Sequence, residues 1–64
     1  MDNTVAQARA GLGWSQQRLA DELGVSRQTV ISIEKGRYDP SLPVAFRLAR
    51  VFDTRIEELF TQDE

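Results

Sequence analysis

The chain has 64 residues, no cysteine and no histidine, and its formal net charge is −2. This length allows one small domain, and the missing residue types exclude disulfides, thiolate metal sites, a cysteine nucleophile and a histidine base. Because no apolar run approaches the roughly 18 residues of a membrane span, we expect a cytoplasmic protein without membrane, metal or cofactor.

The charges are distributed unevenly along the chain. Residues 1–37 hold five basic and four acidic side chains, whereas residues 38–64 hold three basic and six acidic ones. A partner responds to the local field and not to the total charge. The negative total therefore does not exclude DNA as a partner of the N-terminal half.

The first two predicted helices differ in how clearly the sequence marks them. The first covers about residues 3–11, with Asp2 or Asn3 as its N-cap, and its apolar content is low. The second follows the capping residue Ser15 and stops at Gly24. Its buried stripe consists of Leu19, Ala20 and Leu23.

A third predicted helix follows Gly24-Val25, a connection so short that it must be a tight turn. Ser26 caps this helix and Gly36 ends it. Its inward residues are Val30 and Ile33. The spacing of four residues indicates a helix-turn-helix over about residues 16–35. A small residue, Ala20, is followed four positions later by Gly24, and the apolar residues Val30 and Ile33 lie six and nine positions after that glycine.

Two further helices are predicted in the C-terminal half. The fourth begins between Ser41 and Pro43. Its apolar stripe consists of Leu42, Ala45, Leu48, Ala49 and Phe52. The fifth begins with a capping box of Thr54 and Glu57. Its apolar side consists of Ile56, Leu59 and Phe60. Asp53 stands in the turn before it, where left-handed geometry is expected, and we expect residues 61–64 to be frayed.

The segment QQRLADELGVSRQTVISIEKGRYDPSL resembles the core of the Cro and repressor type of regulators, the xenobiotic-response-element (XRE) family of bacteria and phages. The resemblance extends from Val5 to Phe60. It implies an all-α fold, a compact five-helix, lambda-repressor-like DNA-binding domain. We expect one domain over residues 1–64, in which residues 42–60 complete the core and supply a dimer surface.

The resemblance also implies a function and a set of site residues. The function is sequence-specific binding of double-stranded DNA by a transcriptional repressor that acts as a homodimer on a palindromic operator. The residues expected to contact bases are Arg27, Gln28, Ile31 and Ser32. Those expected to contact the DNA backbone are Gln16, Thr29, Lys35, Gly36 and Arg37. For Thr29, local capping of the helix is an equal alternative.

Two other groups of residues receive structural roles from the same resemblance. Arg9 and Glu34 are expected to form an ion pair between the first and third helices. Phe46 and Val51 lie off the predicted core stripe of the fourth helix. The residues expected in a two-fold interface are Val51, Thr54, Arg55, Leu59 and Phe60, although completing the core of the monomer is the alternative for them.

Two other classes of function compete with DNA binding. A protein-interaction module, such as an antitoxin or anti-activator, would use the acidic and apolar C-terminal half to bind a protein partner. An enzyme is the weakest interpretation. Glu57 and Glu58 point to different helix faces, and the sequence has neither a glycine-rich phosphate loop nor a nucleophile–base set.

Overall fold

The computed structural model describes residues 1–61, and helices account for most of this range. The helices are α1 (Val5–Gly11), α2 (Gln16–Leu23), α3 (Arg27–Glu34), α4 (Leu42–Val51) and α5 (Ile56–Leu59). The all-α class and the five predicted helices are therefore confirmed. In the part of the chain that is described, no helix has the length and apolar character needed to cross a membrane.

Serine side chains begin three of the five helices. Ser15, Ser26 and Ser41 each accept a hydrogen bond from the amide three residues later, at 3.0, 3.1 and 3.4 Å. Each bond satisfies an amide that has no partner within its own helix. Gly24 ends α2 with a φ of 72°, a conformation that glycine adopts without a steric penalty. The predicted capping residues of α2 and α3 are thus confirmed.

The core lies where α2 and α3 meet, with α1 packed against α3 and with α4 packed against both α2 and α5. Ala20 is fully buried, and its carbonyl accepts a hydrogen bond from the amide of Val25 at 3.1 Å. A larger side chain at this position would push the two helices apart. The buried cluster consists of Val5, Leu19, Ala20, Leu23, Val30, Ile33, Leu48, Leu59 and Phe60.

The N-terminal segment differs from its prediction. The first helix begins at Val5 and not at Asn3, and its N-cap is Thr4, whose side chain forms no capping bond. The reason is that Asn3 pairs with Phe60 in an isolated antiparallel bridge. The side chain of Asn3 also donates to the carbonyl of Ile33 at 2.8 Å and accepts from the amide of Val5 at 3.1 Å. Asn3 therefore joins both chain termini to the end of α3.

Two predictions for the C-terminal half also need correction. The capping box of Thr54 and Glu57 does not form, because the Thr54 hydroxyl donates to Glu58. Glu57 accepts from its own amide and from Arg55, and these hydrogen bonds lower its pKa. Leu42 was predicted to belong to the apolar stripe of the fourth helix, but it is 65% exposed. It is the first residue of α4 and lies before the turn that enters the core.

A backbone hydrogen bond holds the residue that follows the C-terminal end of the fifth helix. The amide of Thr61 donates to the carbonyl of Asp2 at 2.8 Å, next to the bridge between Asn3 and Phe60. The prediction that residues 61–64 are frayed is therefore wrong for Thr61. Residues 62–64 lie outside the described part of the chain.

Asp53 provides a test of the turn between α4 and α5. Its φ of 51° is positive, as the sequence predicts. Because a β-carbon is disfavoured in this region, we expect Asp53→Gly to unfold with about 1 kcal/mol more free energy than Asp53→Ala, as measured by urea denaturation. The same pair of substitutions at the exposed helical residue Arg50 should give the opposite order. An alanine variant at position 53 that equals the glycine variant would contradict the assignment.

Candidate nucleic-acid interface

The outward surface of α3 carries the four residues that were predicted to contact bases. Val30 and Ile33 are buried and fix the orientation of the helix. The exposed side chains are Arg27 and Gln28, and the half-buried ones are Ile31 and Ser32. Ile31 is thus less exposed than its place among polar residues predicts. All four lie on the side of the helix away from the core.

The sequence segment that contains α3 has a net positive charge although the whole chain is negative. Between residues 23 and 38 the basic side chains are Arg27, Lys35 and Arg37, and the acidic side chain is Glu34. Within residues 1–61, none of the three basic side chains forms an ion pair. Glu34, by contrast, is paired, so its charge does not oppose theirs.

Glu34 is the centre of a hydrogen-bonded network between three elements. Its carboxylate accepts from Nε of Arg9 at 2.7 Å, from Nη2 of Arg9 at 3.3 Å and from Nε2 of Gln16 at 3.1 Å. The same guanidinium donates through Nη1 to the carbonyl of Trp14 at 2.8 Å. The network therefore fixes α1, the start of α2 and the end of α3 relative to one another.

The two charged groups of this network are largely shielded from solvent. The side chain of Glu34 is 7% exposed and that of Arg9 is 19% exposed. The hydrogen bond to Glu34 raises the pKa of Arg9. A raised pKa stabilises the fold at every pH below the ordinary value of the group and loses its effect only when the pH rises beyond it. Near neutral pH, Arg9 therefore contributes no pH dependence to stability.

Gln16 forms a contact that the sequence did not predict, and Thr29 forms one of the two contacts that the sequence left open. The side chain of Gln16 bonds to Glu34, which holds this residue at the N-terminal end of α2. Thr29 Oγ1 lies 2.9 Å from Oγ of Ser26, so its hydroxyl takes part in local capping.

The loop after α3 is shaped by Gly36. Its φ is 73°, and a β-carbon there would lie 3.2 Å from the carbonyl oxygen of Met1. Its amide donates to the carbonyl of Ile33 at 3.0 Å, and its carbonyl accepts from the N-terminal ammonium of Met1 at 3.0 Å. Both backbone groups of Gly36 therefore have partners within the protein. The exposed side chains of Lys35 and Arg37 flank it.

Sequence reasoning missed Tyr38 in this region. Tyr38 is 49% exposed and borders a depression whose other walls are residues of α3 and its N-cap. The only sequence signal was an aromatic residue within a polar loop, which gives no direction for the side chain. Periodicity is undefined in such a loop.

The predicted dimer residues divide into two groups. Leu59 and Phe60 are 3% and 8% exposed and belong to the monomer core. Their burial agrees with the alternative that they complete this core. Val51 and Thr54 are half-buried, and Arg55 is exposed. Leu59 has little surface left for a partner, so any interface would have to use the remaining residues.

These features define a helix-turn-helix domain, and comparisons with known proteins agree. A family model described as helix-turn-helix matches residues 5–59. An uncharacterised HTH-type transcriptional regulator of Methanocaldococcus jannaschii is 48% identical over 64 residues, which cover 100% of this chain and 97% of the relative. The Bacillus subtilis relative YgzD, of the same description, is 44% identical with the same coverage.

Solved structures give the same result. The restriction-modification controller protein C.AhdI of Aeromonas hydrophila superimposes with a TM-score of 0.77 at 34% identity, covering 88% of this chain and 85% of that chain. A chain of the SinR–SinI protein complex gives a TM-score of 0.79 at 27% identity, covering 91% of this chain and 57% of that one. The chain therefore belongs to the XRE-type helix-turn-helix family of DNA-binding transcriptional regulators.

The shielded pair of Arg9 and Glu34 gives a testable difference from an exposed pair. Glu34→Gln leaves the guanidinium of Arg9 without its counter-charge, so we expect the free energy of unfolding to fall by about 1–3 kcal/mol. Glu22→Gln is the matched control. It breaks an exposed pair with Arg18, in which the side chains are 42% and 54% exposed, and should cost about 0.5 kcal/mol or less. Urea denaturation measures both, and equal midpoints for the two variants would contradict the assignment.

Proposed function

We propose that this protein is a sequence-specific DNA-binding repressor whose α3 lies in the major groove of double-stranded DNA. The observation that carries the proposal is the charge around α3. Within residues 1–61, Arg27 in α3 and Lys35 and Arg37 directly after it form no ion pair, while Glu34, the acidic residue among them, is paired with Arg9. A local positive field of this kind attracts the phosphate backbone even when the total charge is negative.

Within this proposal, the first turn of α3 reads the bases. Arg27 can bind O6 and N7 of guanine, and Gln28 can bind N6 and N7 of adenine, each through two hydrogen bonds. Ile31 would contact the methyl group of a thymine. Ser32 would hydrogen-bond to a base edge or to a phosphate. Their common position opposite the buried face of α3 supports this division.

The proposed backbone contacts lie on either side of these residues. The N-terminal amides of α2 carry partial positive charge and lack partners within the helix, so a phosphate would bind at Gln16. Lys35 and Arg37 would contact the backbone from the loop after α3, and Gly36 would set the course of that loop. Thr29 would add its hydroxyl. Such contacts fix the register of the protein on DNA without reading its sequence.

We also propose a homodimer, because a two-fold axis would present two copies of α3 to successive major grooves about 34 Å apart on a palindromic operator. The surface beside α5 supports this. It holds a depression of about 470 Å³ lined by Met1, Ile56, Glu57, Phe60 and Thr61, largely apolar. Val51, Thr54 and Arg55 precede it in the chain. A dimer that occupies a promoter would exclude RNA polymerase, which is the proposed basis of repression in the cytoplasm.

Selection of bound sites from random double-stranded DNA tests the function directly. The proposal predicts recovery of a palindrome whose half-sites are centred about one helical turn apart. Recovery of no preferred sequence would contradict sequence-specific binding. Recovery of a single, unrepeated half-site would contradict the dimer and leave base reading intact.

Two arginines should separate base reading from backbone contact. Arg27→Ala should lose about 1–3 kcal/mol of binding free energy and relax the preference at one operator position. Arg37→Ala should weaken specific and random DNA alike and lower the slope of log affinity against log salt concentration by about one. Fluorescence anisotropy at several salt concentrations measures both effects. Equal losses from the two variants on both DNAs would overturn this division.

The dimer can be tested without DNA. The monomer mass is 7.3 kDa. Sedimentation equilibrium at tens of micromolar protein should give a species of twice this mass. Arg55→Glu replaces the partner of Glu57 by a third acidic group next to Glu57 and Glu58 on each copy. It should shift the equilibrium toward monomer without loss of helical structure, because Arg55 is exposed. A wild-type protein that sediments only as a monomer would contradict the proposal.

A further inference from the structure

The fourth helix carries the most exposed large apolar side chains of residues 1–61. Leu42 is 65% exposed and Phe46 is 54% exposed, more than any other large apolar side chain of this range. Four residues separate them, so they are neighbours on the surface of α4. Single exposed apolar residues are common on protein surfaces, whereas adjacent ones form a patch that a partner can cover. Neither the buried core nor the surface proposed to bind DNA uses this pair.

The same helix is positively charged within an acidic half of the chain. Its sequence, LPVAFRLARV, contains two arginines and no acidic residue, whereas residues 38–64 hold six acidic side chains. Arg47 and Arg50 are both exposed, and neither forms an ion pair within residues 1–61. The helix therefore combines exposed apolar area with two positive charges that have no acidic partner in the described part of the chain.

Helix geometry places these residues on one side of α4. Successive residues turn by roughly 100°, so Leu42, Phe46 and Arg50 form a ridge with a spacing of four residues, and the buried Leu48 lies opposite. Arg47 stands at the edge of this side, where its Nη1 donates to the carbonyl of the last residue of α2 at 3.0 Å. The ridge and Arg47 together are the outward face of α4.

The combination of charge and apolar area selects among candidate occupants of this face. A second copy of the chain, related by a two-fold axis, would bring the arginines of both copies together, and like charges across an interface are unfavourable. Phosphates of DNA would pair with the arginines but would leave Leu42 and Phe46 exposed. A ridge with a spacing of four residues packs into the groove of another helix, and carboxylates on that helix would pair with the arginines.

We propose that the outward face of α4 binds an acidic amphipathic helix of a partner protein. Apolar side chains of the partner cover Leu42 and Phe46, and its carboxylates pair with Arg47 and Arg50. The ring of Phe46 is the central anchor, because large aromatic side chains dominate the energy of such contacts. The arginines orient the partner and disfavour basic helices. The interaction does not depend on the proposed DNA binding, to which α4 contributes no residue.

A library of randomised helical peptides, screened against the full 64-residue chain, tests the chemistry of the partner. We expect the selected peptides to share apolar residues four positions apart with Asp or Glu beside them. Phe46→Ala should weaken the binding of a selected peptide about thirtyfold, as expected for a central aromatic anchor. Leu12→Ala is the matched control, because Leu12 is 48% exposed but lies outside α4. It should leave peptide affinity unchanged, and urea denaturation should show that both variants fold.

A charge reversal tests the proposed ion pairs. Arg50→Glu should weaken the binding of an acidic selected peptide about tenfold. It should bind more tightly than the wild-type protein to the same peptide with lysine in place of its acidic residues. Selected peptides without acidic residues would overturn the inference, as would equal peptide affinities of the wild-type, Phe46→Ala and Arg50→Glu proteins. If both variants lose binding to DNA or to phosphatidylserine vesicles while peptide binding is unchanged, the face serves that other partner and the inference is wrong.

Discussion

The ion pair of Arg9 and Glu34 is the contact on which the geometry of this small domain depends. Glu34 accepts three hydrogen bonds from two other elements, and Arg9 also holds the chain just before α2. A core built from short helices leaves their relative rotation weakly fixed, because apolar contacts are not directional. The directional bonds to Glu34 supply that constraint at the end of α3. They also place a shielded negative charge where an exposed one would repel phosphate.

This arrangement resolves the contradiction between an acidic protein and a nucleic-acid partner. Within residues 1–61, three of the five basic side chains without an ion pair lie in α3 or directly after it, whereas six of the ten acidic residues of the sequence follow residue 37. Non-specific DNA binding scales with the number of phosphates that a protein neutralises. A chain with few basic residues therefore depends more on directional contacts, such as those proposed for Gln28 and Ser32. Its acidic C-terminal half would limit binding to unrelated DNA.

The sequence predicted what periodicity and capping determine, and missed what long-range backbone pairing determines. The serine caps, Gly24 and the buried stripes follow from local rules, and the structure agrees with them. The sequence predicted a first helix that begins at about Asn3. It could not predict the bridge from Asn3 to Phe60, because this bridge joins opposite ends of the chain and no local pattern encodes it. The burial of Leu59 arises from the same closure. Tyr38 was missed because a loop has no period from which its direction could be derived.

We propose that DNA binds across the start of α2, α3 and the loop through Arg37, and that α5 lies outside this surface. Amide chemical-shift mapping of the isotope-labelled protein, titrated with a duplex of the selected operator, distinguishes the two surfaces. The largest shifts are expected at residues 16–17, 27–32 and 35–37, with small shifts in α5. Largest shifts in α5, with α3 unchanged, would contradict it and would indicate that the C-terminal surface is the binding site.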